Sequence, residues 1–228
     1  MTAAGTSSNG LFSHPSVLVV AVALVSLLPL AFVSVTAYVK IATVLQIVRS
    51  AIGAQGIPSN TVITALAGIL TLIVMAPVGD EIAARAAPLF ERTEMLDVAT
   101  LVRDGVEAVR SPIREFLTHN ASAVERDRFL DVARRTRPED QRAQVRGDDL
   151  IVVAPAFLVT ELSEAFSIGF LIFLPFVVID LVVANVLLAL GMQTMSPAHV
   201  SLPFKLLLFV AINGWGLLAT SLVSGYRH

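Results

Sequence analysis

The sequence contains no cysteine, which excludes a disulfide framework, a thiolate nucleophile and a thiolate-bound metal. No Lys or Arg occurs before position 40, so the basic opening of a secretory signal peptide is missing. We therefore expect the N-terminus to be retained. The formal net charge of −2 disfavours a nucleic-acid partner, because such binding needs a concentrated positive field.

Charge is scarce outside one central block between positions 80 and 149. The charged residues outside this block are Lys40, Arg49, Glu161, Glu164, Asp180, Lys205 and Arg227. Isolated charges in apolar sequence are found where they pair, reach a polar boundary or serve a function. These residues are therefore the first candidates for a functional role.

Apolar residues are abundant, at 55% of the chain, and the mean hydropathy of +0.78 is typical of membrane proteins. Four apolar stretches are each long enough, as helices, to cross a hydrocarbon layer of ~30 Å. They cover residues 16–39, 60–78, 165–190 and 200–223. The predicted fold is an all-α membrane-complex protein with two hydrophobic helical hairpins flanking a charged, amphipathic helical region. The predicted divisions are an N-terminal tail (1–15), the first hairpin (16–79), the charged region (80–150) and the second hairpin (151–228).

The apolar stretches are poorly suited to face lipid on all sides. They contain Pro29 and Pro175, which interrupt helical hydrogen bonding, and the polar residues Asp180, Asn185 and Lys205. Such residues are tolerated where neighbouring protein supplies hydrogen bonds. We expect these helices to pack against other subunits more than against lipid.

The positions of the basic residues predict the membrane orientation. The connector after the first apolar stretch carries Lys40 and Arg49 without an acid, whereas residues 80–149 carry both signs with a slight acidic excess. The positive-inside rule then places the connector in the cytoplasm and the charged region outside, which in a bacterium is the periplasm.

The charged region is predicted to form helices. Ser122 and Glu125 have the spacing of a capping box, which starts one helix. Ser111 followed by Pro112 indicates the start of another, because proline is favoured at the first helical position. Both helices are amphipathic and should pack on other parts of the protein.

The residues show no catalytic motif. The four histidines are scattered, no pair of them has the i, i+4 spacing of a helical zinc site, and neither a phosphate-binding glycine loop nor a nucleophile elbow occurs. We conclude that the protein is not an enzyme and has no cofactor or resident metal.

The isolated charges allow two interpretations. Glu161 or Glu164 could pair with Lys205, within one chain or between copies, because an unpaired charge in the membrane costs about 2.5–3.5 kcal/mol. Alternatively, Glu161 and Lys205 lie near helix ends and extend separately to an interface. Asp180 could be a proton-relay carboxylate or a hydrogen-bond partner for a neighbouring helix. On the residues alone, Met192 and Met195 in the last turn are an apolar cap on the hairpin.

A long series of ordered motifs resembles one family. The motifs include Pro155-Ala156-Phe157, Glu161-Leu162, Leu174-Pro175-Phe176, Ile179-Asp180-Leu181, Leu190-Gly191-Met192, Ser201-Leu202-Pro203-Phe204-Lys205 and, earlier, Met75-Ala76-Pro77 and Arg114-Glu115-Phe116. They resemble the SctR/FliP family of type III secretion export-gate subunits, over about residues 38–215. Lys40, where flagellar relatives tend to carry Arg, and the missing signal peptide favour the injectisome (SctR) branch.

The resemblance implies a core subunit of the export apparatus in the bacterial inner membrane. Family members assemble in several copies with two small hydrophobic subunits, of the SctS/FliQ-like and SctT/FliR-like families, into a gate for unfolded secreted proteins. Membrane lipid is a further expected partner. By the same resemblance, Met192 and Met195 belong to a pore gasket and Glu161 pairs with Lys205. We expect Asp180, Asn185, Glu164 and Arg114 to be buried polar or assembly residues.

Two other functions remain open from the sequence. One is a proton- or ion-coupled transporter that uses Asp180, Glu161 and Lys205 as a relay. The other is a structural nucleator that only seeds assembly and contributes nothing to the seal.

Overall fold

The described part of the chain folds into helices joined by short turns. A computed structural model describes residues 15–54, 56–91, 98–192 and 194–226, and no strand occurs among them. The helices are α1 (Pro15–Val35), α2 (Tyr38–Ile52), α3 (Asn60–Glu91), α4 (Val98–Asn120), α5 (Ala123–Arg135), α6 (Glu139–Arg142), α7 (Leu150–Ala189), α8 (Pro197–Ala211) and α9 (Gly214–Ser224). The predicted all-α fold class is confirmed. Residues 1–14, most of the predicted N-terminal tail, lie outside the described residues.

Helix α7 is the longest element and organises the fold. Its 40 residues extend about 60 Å at 1.5 Å per residue, and α2, α4, α5 and α8 all pack on it. The first half of α7 contributes Val153, Ala156 and Phe157 to the main core. In the second half most side chains are exposed, and this half forms a hairpin with α8.

The predicted apolar stretches correspond to two continuous helices and two bent pairs. Among the described residues, Asn60–Leu89 and Leu150–Ala189 are long and apolar enough to cross a membrane, and the number rises to four if α1–α2 and α8–α9 each form one span. Helices α8 and α9 meet at an angle of 57°. The bend lies at Asn213, whose φ of 51° is left-handed, a conformation that Asn tolerates better than most residues.

Lys40 and Arg49 do not lie in a connector, as the sequence predicted, but on helix α2. The apolar residues Ile41, Val44 and Val48 recur at helical spacing on its buried face, and Lys40 shares that face. The predicted connector began where the first charge interrupted the apolar run, whereas the helical periodicity continues past that charge. Because Lys40 is buried, it does not mark a cytoplasmic loop.

The charged region contains α4, α5, α6 and the end of α3. Helix α3 runs without a break across the predicted boundary at residues 79 and 80. The predicted helix start at Ser111-Pro112 is wrong, because Pro112 lies inside α4. Ser122 is the N-cap of α5, but its side chain makes no capping hydrogen bond. Its N–H donates instead to Thr160 Oγ1 of α7, at 3.0 Å, which docks α5 on the long helix.

The close packing of α2 on α7 requires a glycine at position 169. A Cβ atom there would lie 2.5 Å from Ile47 Cδ1 and 3.2 Å from Ile47 Cβ. We therefore expect Gly169→Ala to separate the helices and to lower the free energy of unfolding by about 1–3 kcal/mol. Thermal unfolding in detergent measures the loss.

The matched control is Gly105→Ala in α4, where a Cβ meets no described atom within 4 Å. Alanine in a helix is favoured over glycine by about 0.5–1 kcal/mol, so this variant should be at least as stable as the parent. Equal melting of the two variants would show that α2 and α7 are not in close contact at Gly169.

Candidate functional site

One buried group of charges lies where α2, α7 and the C-terminal end of α9 meet. We call Lys40, Glu161, Glu164 and Tyr226 the Lys40 cluster. Lys40 Nζ lies 2.9 Å from Glu161 Oε1 and 2.8 Å from Glu164 Oε2. The Tyr226 hydroxyl donates to Glu161 Oε2, and Lys40 Nζ lies 4.1 Å from the centroid of the Tyr226 ring. Each charge on the interior side of the cluster is thus paired.

The burial within the Lys40 cluster is unequal. The side chains of Lys40 and Glu161 are 6% and 1% exposed, whereas that of Glu164 is 53% exposed. The Lys40 ammonium therefore pairs with two carboxylates. The second negative charge is that of Glu164, whose side chain is the one exposed to solvent. Burying an ion pair stabilises a fold only when its members are also hydrogen-bonded, which Tyr226 provides for Glu161.

The Lys40 cluster also lies against the break between α1 and α2. The Tyr226 hydroxyl lies 3.3 Å from the carbonyl oxygen of Ala37, the residue before α2, and the same carbonyl accepts the N–H of Ile41. The C-terminal end of the described chain therefore packs next to the start of α2.

Burial and the neighbouring Glu161 carboxylate raise the pKa of Tyr226, which lies beyond the last residue of α9. A tyrosine whose pKa is raised by folding stabilises the protein below its ordinary pKa of about 10, and that stability is lost as the pH rises above it. We expect the free energy of unfolding to fall above about pH 10. We also expect no phenolate absorbance from Tyr226 before the protein unfolds.

The titration is clean in a Tyr38→Phe background, because the chain has only two tyrosines. Glu161→Gln should move the titration of Tyr226 to lower pH by removing the adjacent negative charge. Phenolate formation near pH 10 in the folded protein would contradict the buried position of Tyr226.

A second buried group ties α8 to α7 and α2. We call Lys205, Asp180 and Ser201 the Lys205 cluster. Lys205 Nζ lies 2.6 Å from Asp180 Oδ2, and Ser201 Oγ donates to Asp180 Oδ1 at 2.5 Å. Lys205 also donates to the carbonyl oxygen of Ala51 at the end of α2, at 3.4 Å, where a cation complements the helix dipole.

The ion pairs in the two clusters differ from the predicted pair of Glu161 with Lys205. Within the chain, Glu161 is paired with Lys40 and Lys205 with Asp180, so the predicted Glu161–Lys205 contact does not form inside one chain. Pairing of these two residues between copies stays a prediction. The pattern of charges included Lys40 among the candidates but assigned it to a loop, so its pairing with Glu161 was not predicted. Tyr226 showed no signal in the sequence.

Comparison with known proteins identifies the family of the chain. The family model described as "FliP family" matches residues 21–222. The chain belongs to the FliP family. The family predicted from the motifs is thereby confirmed: the protein is a structural component of a type III secretion export apparatus, and as such it is not an enzyme. A component of this kind, with its apolar helices, is a membrane protein that works in assembly with other components.

Individual relatives of this FliP-family subunit are similar over nearly their whole length. The "Hypersensitivity response secretion protein HrcR" of Ralstonia nicotianae is 46% identical over 212 residues, which cover 93% of this chain and 97% of the relative. "Pathogenicity-related ORF2" of Xanthomonas campestris pv. glycines is 44% identical with the same coverage. The "Yop proteins translocation protein R" of Yersinia pestis is 43% identical over 213 residues, or 92% of this chain and 95% of the relative. The HrcR and Yop translocation names are those of injectisome proteins, in agreement with the SctR branch.

In this FliP-family subunit, Met192 and Met195 lie together at the tip of the α7–α8 hairpin. They are 40% and 43% exposed, and the N–H of Met195 donates to the carbonyl of Met192 at 3.3 Å. Gln193 lies outside the described residues. The turn therefore presents two flexible apolar side chains at the tip of the hairpin.

The four predicted buried polar residues are not buried in the single chain. Asn185 is exposed on α7, and the Asp180 and Glu164 side chains are 40% and 53% exposed. Arg114 lies 4.0 Å from Asp148 in a half-exposed pair. Their burial in an assembly stays a prediction. Among the described residues, no group of three or more His, Asp or Glu is arranged to hold a metal ion.

Proposed function

We propose that several copies of this subunit assemble, with two small hydrophobic subunits of the SctS/FliQ-like and SctT/FliR-like families, into the gate for unfolded secreted proteins. The main support is the second half of α7, where the other helices of the chain leave most side chains exposed. This half contains Pro175, Asp180 and Asn185, and such residues are tolerated within a membrane where neighbouring protein supplies hydrogen bonds. The exposed surface therefore favours protein neighbours in addition to lipid.

The exposed apolar residues of the α7–α8 hairpin support this proposal. They surround the second half of α7 on several sides and continue along α8. They include Phe166, Phe170, Val178, Leu181, Val182, Leu188, Phe204, Leu207 and Val210. An exposed apolar surface of this kind marks a protein–protein or membrane interaction site, and the polar residues Asp180 and Asn185 within it favour protein partners over part of the surface.

Native mass spectrometry in mild detergent tests the assembly. The subunit is purified alone and after coexpression with the two small subunits. A defined homo-oligomer that takes up both partners is expected. A stable monomer that binds neither would contradict the proposal.

Met192 and Met195 form part of the seal in this proposal. Methionine is apolar enough to exclude water from a constriction and flexible enough to yield around a passing chain. We expect the double variant Met192→Ser, Met195→Ser to raise the leakage of small ions through the assembled complex several-fold, because the constriction becomes wettable. Ion conductance across planar bilayers measures this leakage.

The control for the Met variants is Thr194→Ala in the same turn, which keeps both methionines and should leave the conductance unchanged. If the serine variant assembles and does not leak, these residues are not part of the seal, and a subunit that only seeds assembly is favoured.

The proposed localisation is the inner membrane, with residues 80–150 on the periplasmic side. It is supported by Arg49, a basic residue near the turn that joins α2 to α3, and by the mixed charge of residues 80–150. Because the chain lacks cysteine, a single introduced cysteine can be labelled without background. An impermeant thiol reagent applied to spheroplasts should label Arg128→Cys and not Ser59→Cys, and the reverse pattern would invert the orientation.

A second candidate function is a proton- or ion-coupled transporter. It is favoured by one observation: Asp180 is paired with Lys205 yet 40% exposed, as a relay carboxylate needs to be. It requires that Asp180→Asn abolish transport while the complex still assembles.

A further inference from the structure

Two adjoining cavities remain outside the functions described above. The first, the apolar groove, has a volume of about 550 Å³ and runs between α7 and the α8–α9 pair. Its walls include Ile168, Leu171, Phe176, Phe209 and Leu218. Lys40, Glu164 and Gly225 line the groove as well, so that it is apolar along its length and charged at one end.

The second, the polar cavity, has a volume of about 490 Å³ and lies at the turn between α4 and α5. Its lining includes His119, Arg126 and Thr160. Lys40, Glu164 and Gly225 line this cavity too, so the two spaces meet at these shared residues. Together they form one amphipathic site, located where the charged region joins the apolar helices.

The polar cavity carries surplus charge of both signs. Arg126 lines the cavity, and no described carboxylate lies within 4.0 Å of its guanidinium. Its Nε is buried without a hydrogen-bond partner among the described residues, so a ligand would contact the terminal nitrogens of the guanidinium. On the other side, Glu164 shares the single ammonium of Lys40 with Glu161 and is half exposed. The cavity thus offers an unpaired cation and an incompletely neutralised carboxylate.

We propose that this site binds one aminophospholipid of the phosphatidylethanolamine class. An acyl chain lies in the apolar groove, the phosphate contacts Arg126, and the headgroup ammonium contacts Glu164. A guanidinium is suited to phosphate because its planar fork donates two parallel hydrogen bonds. The charge arrangement requires a headgroup that carries both signs, which an anionic lipid without an amine does not.

The dimensions of the apolar groove agree with this ligand. From Glu164 to Phe176 the helix rises roughly 18 Å, and one leaflet of a ~30 Å hydrocarbon core is about 15 Å thick. One acyl chain therefore spans the groove when the headgroup is in the polar cavity. The lipid would seal α7 against α8–α9 and help to set the angle of the hairpin.

Native mass spectrometry of the delipidated full chain, titrated with phosphatidylethanolamine or phosphatidylglycerol in detergent, tests the proposal. The parent protein should retain one phosphatidylethanolamine with at least tenfold higher affinity than phosphatidylglycerol. Arg126→Gln should weaken both lipids about tenfold or more, since both carry phosphate. Glu164→Gln should weaken only phosphatidylethanolamine and so remove the preference.

The matched control is Arg128→Gln on the same helix, because Arg128 is solvent-exposed and paired with Glu125 at 2.9 Å. It should bind both lipids as the parent does. Leu171→Trp, which places a larger side chain at the groove wall about two helical turns from Glu164, should abolish retention. Thermal unfolding without lipid shows whether each variant is folded.

Three outcomes would overturn the proposal: equal retention of the two lipids by the parent, equal retention by the Arg126 and Arg128 variants, or unchanged retention by Leu171→Trp. If Leu171→Trp instead breaks a lipid-free homo-oligomer, the groove is occupied by a second copy of the chain. Assembly is measured separately, so failure of the lipid site leaves the proposed export gate untouched.

Discussion

Replacing Lys40 with methionine should destabilise the subunit by about 3–5 kcal/mol, because the substitution leaves a buried carboxylate without its cation. Glu161 is 1% exposed and cannot be hydrated in place, and Glu164 adds a second negative charge beside it. The melting temperature in detergent should fall, and little of the variant should accumulate in membranes.

Companion variants separate charge from packing in the Lys40 cluster. Glu161→Gln should cost only about 1–2 kcal/mol, since the amide oxygen still accepts from Tyr226 and Lys40 keeps Glu164. The double variant Lys40→Met, Glu161→Gln should be more stable than Lys40→Met alone, because the buried unpaired charge is gone. If the double variant shows the sum of the single losses, Lys40 and Glu161 are not coupled.

An exposed ion pair is the control for these changes. Arg135 and Asp131 form an i, i+4 pair on α5 with side chains 78% and 56% exposed. Such pairs contribute little to stability, so Arg135→Met should leave the melting temperature unchanged. A large loss there would mean that the assay reports something other than buried charge.

Replacing Asp180 with asparagine should be more harmful than replacing Lys205 with methionine. Lys205 is 7% exposed and Asp180 is 40% exposed. Asparagine keeps an amide oxygen that can accept from Lys205, but the buried ammonium loses its counter-ion, at a cost of about 3–5 kcal/mol. Removal of the lysine leaves a carboxylate that water and Ser201 can still solvate, so a loss of about 1–2 kcal/mol is expected.

The same variants distinguish a gate from a transporter. In the gate, Asp180→Asn loosens the α7–α8 hairpin, so less complex assembles and secretion falls in proportion. In a relay, the complex assembles normally and transport stops. Native mass spectrometry and a secretion assay on the same preparations decide between the two.

A charge exchange between Glu161 and Lys205 tests pairing between copies. Within one chain, Glu161→Lys would meet Lys40 and Lys205→Glu would meet Asp180, so the double exchange should restore nothing. Restoration of the oligomer by the double exchange would show that these residues meet across a subunit interface in addition to their partners inside the chain.

Local sequence signals predicted the helices well where no tertiary contact competed. The apolar stretches became helices, and Ser122 is the N-cap of α5. Signals that depend on a single residue were less reliable. Pro112 resembled a helix start but lies inside α4, where the preceding turns are amphipathic and continue the helix. Lys40 resembled the start of a loop but continues the buried face of α2.

For the candidate sites too, the sequence predicted some features and not others. Isolated charge in apolar sequence identified Glu161, Asp180 and Lys205 as residues that need partners, and the structure provides a partner for each. It did not identify the partners. Tyr226 is 65 positions from Glu161 in the chain, and no pattern of composition or periodicity relates two residues so far apart.

The sequence by itself determined the helical class, the membrane character, the export family and the short set of charges that require partners. Each of these follows from composition, helical periodicity or ordered motifs, which are properties of the chain read locally. Only the tertiary structure decided that Glu161 pairs with Lys40 and Asp180 with Lys205, and that two cavities meet beside Glu164. The physical reason is that these contacts depend on how α2 crosses α7 and how α8–α9 bends, which many distant side chains determine together.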